Sequence, residues 1–249
     1  MSLRRLIGAV APRMPTPLAR KLLRGRHPFD LQHGTDTGGL LYARDLPTGH
    51  AHDAFNEGYY ATAPSLFLGL ISRWEDTLAR VALRVSDYHF MDLGCGKGRV
   101  LLLASELPFR GVTGVELHAG LCASATRNVE HWMRRPRACP LVSVVHGDVL
   151  DLALPDEPVV LFLFNSFGAE VMRPLVERLV AAAQRRTAPI DLLYLHPDWA
   201  EMVASTPGVE TLFTGDIPFS REEALADAFS VASDAAAVYR VGGSRKQGV

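Results

Sequence analysis

This chain lacks a membrane-length apolar run, a cysteine framework and, over its first 29 residues, any acid. No hydrophobic stretch reaches the roughly 20 residues that cross a bilayer as a helix, so no transmembrane segment is expected. Cys95, Cys122 and Cys139 show neither paired nor zinc-type spacing, and an odd count argues against a disulfide framework. A reducing, cytoplasmic setting is the expectation. Internal repeats, linkers and low-complexity tracts are also missing. Residues 1–29 carry seven basic residues (Arg4, Arg5, Arg13, Arg20, Lys21, Arg24, Arg26), and the other nineteen face all 27 acids, a net of −8. So acidic a body argues against broad nucleic-acid binding, which needs a basic surface.

What is present fits one well-packed domain: 249 residues, 48% hydrophobic and 21% charged. In the basic arm Leu18, Leu22 and Leu23 share one side of a potential helix. That suits a membrane surface or a partner, and equally a solvated terminus. The apolar stretch from Leu6 to Ala11 is short and followed by Pro12, which argues against a secretory signal, although Arg4-Arg5 is a twin-arginine pair. Proline and glycine then make residues 34–39 a loop and 47–64 irregular. After Pro64, Phe67, Ile71, Trp74, Leu78 and Val81 recur at helical spacing.

From Tyr88 strands and helices alternate. Strands are expected over 88–92, 111–116, 141–146, 159–164 and 190–195, with helices over 98–107, 119–134, 169–186 and 198–205. Two final strands, near 209–213 and 235–241, read as an antiparallel hairpin whose connection is partly helical over 221–228. Repeated β-α-β units of this length require a parallel sheet with right-handed crossovers.

The first strand runs into Asp92-Leu93-Gly94-Cys95-Gly96-Lys97-Gly98 and then an apolar helical pattern. Glycines at alternate positions let the backbone turn tightly and approach a ligand, and the helix start turns positive dipole into the same space. A dinucleotide fingerprint would place its third glycine at position 99, which is Arg99. In open α/β sheets the ligand lies outside the carboxyl ends of the strands, so residues at those ends are the test. Strand two ends at Glu116, able to accept from both ribose hydroxyls. Strand three ends at Asp148, able to accept from an adenine amino group. Strand four ends in Phe164-Asn165-Ser166-Phe167. Taken singly, Asp92 or Asp148 also suits a turn cap, and Glu116 a solvated loop acid. Four such residues in succession point to a nucleoside cofactor.

With these residues in place, the stretch over about 59–241 resembles a class I S-adenosylmethionine-dependent methyltransferase. The resemblance implies an α/β, Rossmann-like three-layer sandwich, whose mostly parallel seven-stranded sheet carries one antiparallel strand. Residues 65–249 would form this domain, and 1–64 a basic N-terminal arm and covering loop. It implies S-adenosyl-L-methionine as cofactor, held by Asp92, Gly94, Gly96, Gly98, Glu116 and Asp148, with Asn165 facing the transferred methyl. Phe164-Asn165-Ser166-Phe167 is also similar to the Asn-x-Phe type motif of non-SET lysine methyltransferases of the telomeric-silencing kind and of related small bacterial enzymes. Tyr59-Tyr60-Ala61-Thr62 is similar to their cofactor-covering loop, adding Thr62 to the cofactor residues and Tyr60 to the catalytic ones.

Chemically, Asn165 can accept from an amine N–H, and Phe167 or Tyr60 can wall a developing cation. The leading expectation is therefore N-methylation of an amine, on a protein lysine or a small metabolite. O-methylation needs a base, for which His196 is best placed and His118 and His146 also lie near strand ends. A cofactor-binding scaffold without chemistry is the third reading. His50-Ala51-His52-Asp53 shows no further spaced ligands and is read as a surface loop, so no metal is expected. The acceptor depends on what covers the sheet edge, expected from residues 30–64 and 214–229.

Overall fold

The computed structural model describes residues 27–226 and 232–242. The basic arm thus lies outside the described residues, apart from its last positions. The described chain enters through helix α1 (Pro28–His33), capped by His27, whose Nδ1 accepts from the Phe29 N–H. Gly34 closes it in the left-handed conformation. Strand β1 (Leu40–Leu41) pairs with β2 (Tyr59–Tyr60), and two short 3₁₀ turns lie between them.

Helix α2 (Pro64–Leu78) starts with Pro64 in its first turn, where a missing N–H does no harm. It buries Leu66, Phe67, Leu70, Ile71, Trp74 and Leu78. Then follow β3 (His89–Leu93), α3 (Arg99–Ser105), β4 (Gly111–Glu116), α4 (Ala119–Trp132), β5 (Val142–His146), β6 (Val159–Phe164), α5 (Ala169–Ala183), β7 (Ile190–Leu195), α6 (Ala200–Ala204), β8 (Val209–Pro218), α7 (Arg221–Ala226) and β9 (Ser233–Val241). The expected order of elements is the observed one, with boundaries displaced by a few residues. Three features differ: helix α1 forms at Pro28–His33 where no helix was expected, the short β1–β2 pair forms where no strand was expected, and β8 runs five residues past its expected end.

Seven strands form one sheet in the order β5-β4-β3-β6-β7-β9-β8. The first five are parallel, and β9 runs antiparallel to both neighbours. Strand order reverses between β3 and β6, which makes their carboxyl ends the natural ligand crevice. The apolar runs of β6 and β7 are buried along both faces, as central parallel strands require. On one face α2, α3 and α4 enclose an aromatic cluster in which Phe67 meets Phe90 and Phe162 edge to face, each at 5.7 Å. On the other face α5 packs over Met91, Leu161 and Leu192.

One acid lies inside this core. Asp191 of β7 is fully buried and accepts from Trp74 Nε1 (2.9 Å), Tyr88 Oη (3.1 Å) and Arg240 Nε (2.8 Å). Arg240 stands directly opposite it on β9. A buried carboxylate persists only when paired and hydrogen-bonded, and this network meets that demand while joining α2, β7 and β9.

Candidate functional site

The turn after β3 builds the floor of a cleft, open to solvent, with a cavity volume of about 100 Å³ at the carboxyl edge of the sheet. The N–H groups of Gly94 and Cys95 both donate to Val115 O, which holds the turn against β4. Gly96 lies at φ +55°, and a Cβ there would fall 2.2 Å from the Tyr59 ring, so only glycine admits the covering strand so close. Gly98, at φ +85°, precedes α3 and packs on Ala125. It does not line the cleft, whereas Asp92, Gly94 and Gly96 do. In this structure Gly98 joins the turn to two helices, through its contacts with Leu101 and Ala125.

Three acids from successive strand ends meet in this cleft. Asp92 is 4% exposed and makes no side-chain hydrogen bond among the described residues. Burial, and then the neighbouring Glu116, push its carboxyl well above the usual range. Glu116 accepts from Gly96 N and His118 N, each at 2.8 Å, one on each oxygen. Burial still raises it, because those hydrogen bonds only partly offset desolvation. Asp148 caps the turn after β5 by accepting from Leu150 N at 2.7 Å, and it also lines the cleft.

These residues fit the group the sequence implies. An orphaned carboxylate suits an ammonium, and Glu116 keeps lone pairs for a pair of hydroxyls. Asp148 adds an acceptor at the far side.

The segment after β6 departs from expectation. Asn165 sits at φ +39°, a left-handed conformation that asparagine tolerates better than most residues. It is 1% exposed and does not line the cleft. Its Nδ2 donates to Asp198 Oδ2 at 2.9 Å, and Tyr194 Oη donates to its Oδ1 at 3.4 Å. Phe164, Ser166 and Phe167 line the cleft in its place. The turned backbone directs Asn165 toward β7, so the position expected to face the methyl group is structural in this geometry.

The covering loop is docked, and Tyr60 and Thr62 line the cleft beneath it. Glu57 N donates to Ser166 O at 3.0 Å and Gly168 N to Phe55 O at 2.7 Å, while Asn56 bridges Phe167. Trp199 Nε1 braces Phe167 O at 3.0 Å. Glu57 also lines the cleft; burial, above all, raises the Tyr194 phenol, and the Glu57 charge adds a lesser push in the same direction.

Arg99 anchors the cover, a role the sequence reading missed. Its Nε donates to Thr37 Oγ1 (2.8 Å), its Nη1 to Thr62 O (3.3 Å), and its Nη2 reaches Asp30 Oδ2 (3.5 Å). Burial raises the Asp30 carboxyl, but hydrogen bonds from Thr37 and Thr35 and the Arg99 charge outweigh it, leaving Asp30 below its ordinary value. Tyr59 Oη ties down Thr37 O at 2.5 Å, and Lys97 Nζ does the same for Gly38 O at 2.9 Å. A usable signal was there: an arginine entering a buried, apolar helix demands a carboxylate partner.

The histidines are redistributed. His196, at φ +51°, lies 2.7 Å from Asp234 Oδ1 through Nδ1 and does not line the cleft. His146 Nε2 lies 2.9 Å from Leu117 O, and His118 lines the cleft but spends Nδ1 on the N–H of Leu121. The loop at His50–Asp53 is exposed at His50 and Ala51 and half-buried at His52 and Asp53, and it has a distant neighbour: His52 Nδ1 is 2.6 Å, and His50 Nδ1 3.6 Å, from Asp148 Oδ2.

Residues 90–189, from β3 to the start of β7, match the family model described as a methyltransferase domain. No curated protein matches the chain. Among solved structures, the methyltransferase domain of bacterial CtHen1-CN is 14% identical, with TM-score 0.45, covering 69% of this chain and 100% of its own. An RNA methyltransferase from Salinibacter ruber, in complex with S-adenosyl-L-homocysteine, is 16% identical with TM-score 0.40, covering 70% of this chain and 92% of its own. Magnesium protoporphyrin IX methyltransferase from Synechocystis PCC 6803, with S-adenosylmethionine bound, is 12% identical with TM-score 0.44, covering 70% and 80%.

Proposed function

We propose that this chain, a class I S-adenosylmethionine-dependent methyltransferase, methylates an amine nitrogen, and that Glu57 is the acceptor-facing acid. The observation that carries this reading is the charge of the cleft. Four acidic side chains line it (Asp92, Glu116, Asp148 and Glu57) against, among the described residues, a single guanidinium, Arg99, which is committed to Asp30. Burial raises Asp92 and Glu116, so a cation entering beside them favours their charged forms, whereas an acidic acceptor does not. Three of the acids fit the cofactor, and Glu57, whose N–H donates to Ser166 O, is the fourth and comes from the covering loop.

When bound, the cofactor supplies an electrophilic methyl group on a sulfonium. The work of the protein is then alignment, for which holding the reactants in line contributes on the order of 7–11 kcal/mol in favourable cases. Glu57 accepts a hydrogen bond from the acceptor N–H, orients its lone pair and takes up the proton the nitrogen sheds. Tyr60, Phe164 and Phe167 supply aromatic faces to positive charge that develops there. Asn165 becomes a positioning residue, acting through Asp198 and Tyr194. His196, the histidine best placed in the sequence as a base for O-methylation, is paired with Asp234 and does not line the cleft, which favours N-methylation over a reaction based on that residue.

The test uses methyl-labelled cofactor with host extract separated into macromolecules and small molecules, followed by mild alkaline hydrolysis. Label in base-stable N-methyl groups, lost in Glu57→Gln, supports the reading. Label released by base, or absent from every fraction, overturns it.

A further inference from the structure

We propose that His50, His52 and Asp148 form a binding site for a first-row divalent transition-metal ion. Their ligand atoms, two imidazole Nδ1 and one carboxylate Oδ2, all lie within 4.8 Å of one another. They come from two separate parts of the fold, since Asp148 follows β5 and stands 96 positions from His52.

The loop is held in place for this geometry. Asp53 Oδ2 accepts from Thr48 N and Gly49 N at 2.8 Å each, and Thr48 Oγ1 accepts from His50 N at 3.1 Å. The two rings are thereby fixed edge to face, with centroids 4.9 Å apart. On the other side Leu150 N occupies Oδ1 of Asp148, which leaves Oδ2 toward the histidines. His50 Nδ1 itself accepts from the His52 N–H at 3.2 Å, a bond that gives way as the ion takes that lone pair.

The spacing is close to a coordination shell. Ligands about 2.0–2.1 Å from a tetrahedral metal lie about 3.3 Å apart. The His50–Asp148 separation of 3.6 Å nearly meets this, and the 2.6 Å between His52 and Asp148 must open slightly as a cation replaces the shared proton. Two nitrogens and one oxygen favour Zn²⁺, Co²⁺ or Ni²⁺ over Mg²⁺ and Ca²⁺, which want oxygen shells. Side-chain exposures of 39% for His50 and 27% for His52 give solvent a route in. The bound ion would staple the covering loop to the end of β5, at the rim of the cleft that His52 and Asp148 both line.

The experiment titrates Zn²⁺ into tag-free, chelator-treated full-length protein by calorimetry and follows Co²⁺ by visible d–d absorption. One equivalent of Zn²⁺ is expected to bind with a Kd below about 100 µM. His50→Ala and Asp148→Asn are each expected to weaken it at least about tenfold, while His131→Ala, remote from the site, leaves it unchanged. Circular dichroism melts check that each variant folds; His50 is exposed, so its loss leaves the core intact. Absence of binding in the parent protein, or unchanged affinity in both His50→Ala and Asp148→Asn, overturns the proposal.

Discussion

Arg99 Nη2 lies 3.5 Å from Asp30 Oδ2, and each side chain is only 2% exposed. This buried pair joins the first turn of α3, directly after the glycine loop, to the segment that covers the cleft. Removing one partner of such a pair leaves an uncompensated buried charge, typically about 3–5 kcal/mol. Arg99→Met is therefore expected to lower stability by about 3 kcal/mol in urea denaturation, and to expose residues 34–60 to protease at native conditions. A loss below about 1 kcal/mol, the scale of a surface pair, would show that the pair does not anchor the cover.

The same anchor is acid-sensitive. Burial, and then the Arg99 charge, lower His27 from 6.5 to about 4, and its neutral Nδ1 caps α1. Because the folded value lies below the unfolded one, its contribution is complete above pH 6.5 and is lost as pH falls toward 4. Phe29 of α1 stacks on Trp132 with centroids 5.7 Å apart, so tryptophan fluorescence reports the change. A fluorescence transition between pH 6.5 and 4 is expected, weakened in His27→Gln; an identical transition in that variant contradicts the assignment.

Asp92 illustrates function set against stability. A buried carboxylate without a partner strains the fold, so Asp92→Asn is expected to stabilise the unliganded protein by about 1 kcal/mol. The same change removes the acceptor proposed for the cofactor ammonium, and cofactor affinity should fall at least about tenfold, or 1.4 kcal/mol. Thermal melts with and without S-adenosylmethionine separate the two effects. A variant that is both less stable and equally able to bind refutes this account of Asp92.

The proposal gives Asn165 a positioning role and the acceptor-facing role to Glu57, which the sequence did not single out. Asn165→Ala breaks the link between Asp198 and Tyr194 and is expected to destabilise by about 1–3 kcal/mol. Its transfer rate at saturating substrate should fall less than that of Glu57→Gln. The reverse order in single-turnover measurements would return the catalytic role to Asn165.

How far the sequence spoke depended on the range of the interaction. The β6 run VVLFLF and the β7 run IDLLYL were legible because central strands are buried on both faces, leaving a continuous apolar signal. Asp92, Glu116 and Asp148 were legible because each ends or follows a strand, where parallel topology brings them to one edge. Asp30–Arg99 and His52–Asp148 span 69 and 96 positions, and no local pattern encodes such pairs. The side-chain direction of Asn165 follows from a φ of +39°, a backbone choice made by tertiary packing. The last residues of β8, Gly215 to Pro218, read as a turn by composition, yet pairing with β9 extends the strand through them.

The central claim is that the acids at three successive strand ends hold the cofactor. Calorimetric titration of S-adenosylmethionine into the parent protein and Glu116→Ala tests it directly. The account predicts one site per chain in the parent protein and a loss of at least about tenfold in the variant, whose melt without cofactor remains cooperative. Equal affinity in the two proteins, or no binding by the parent protein, would contradict it.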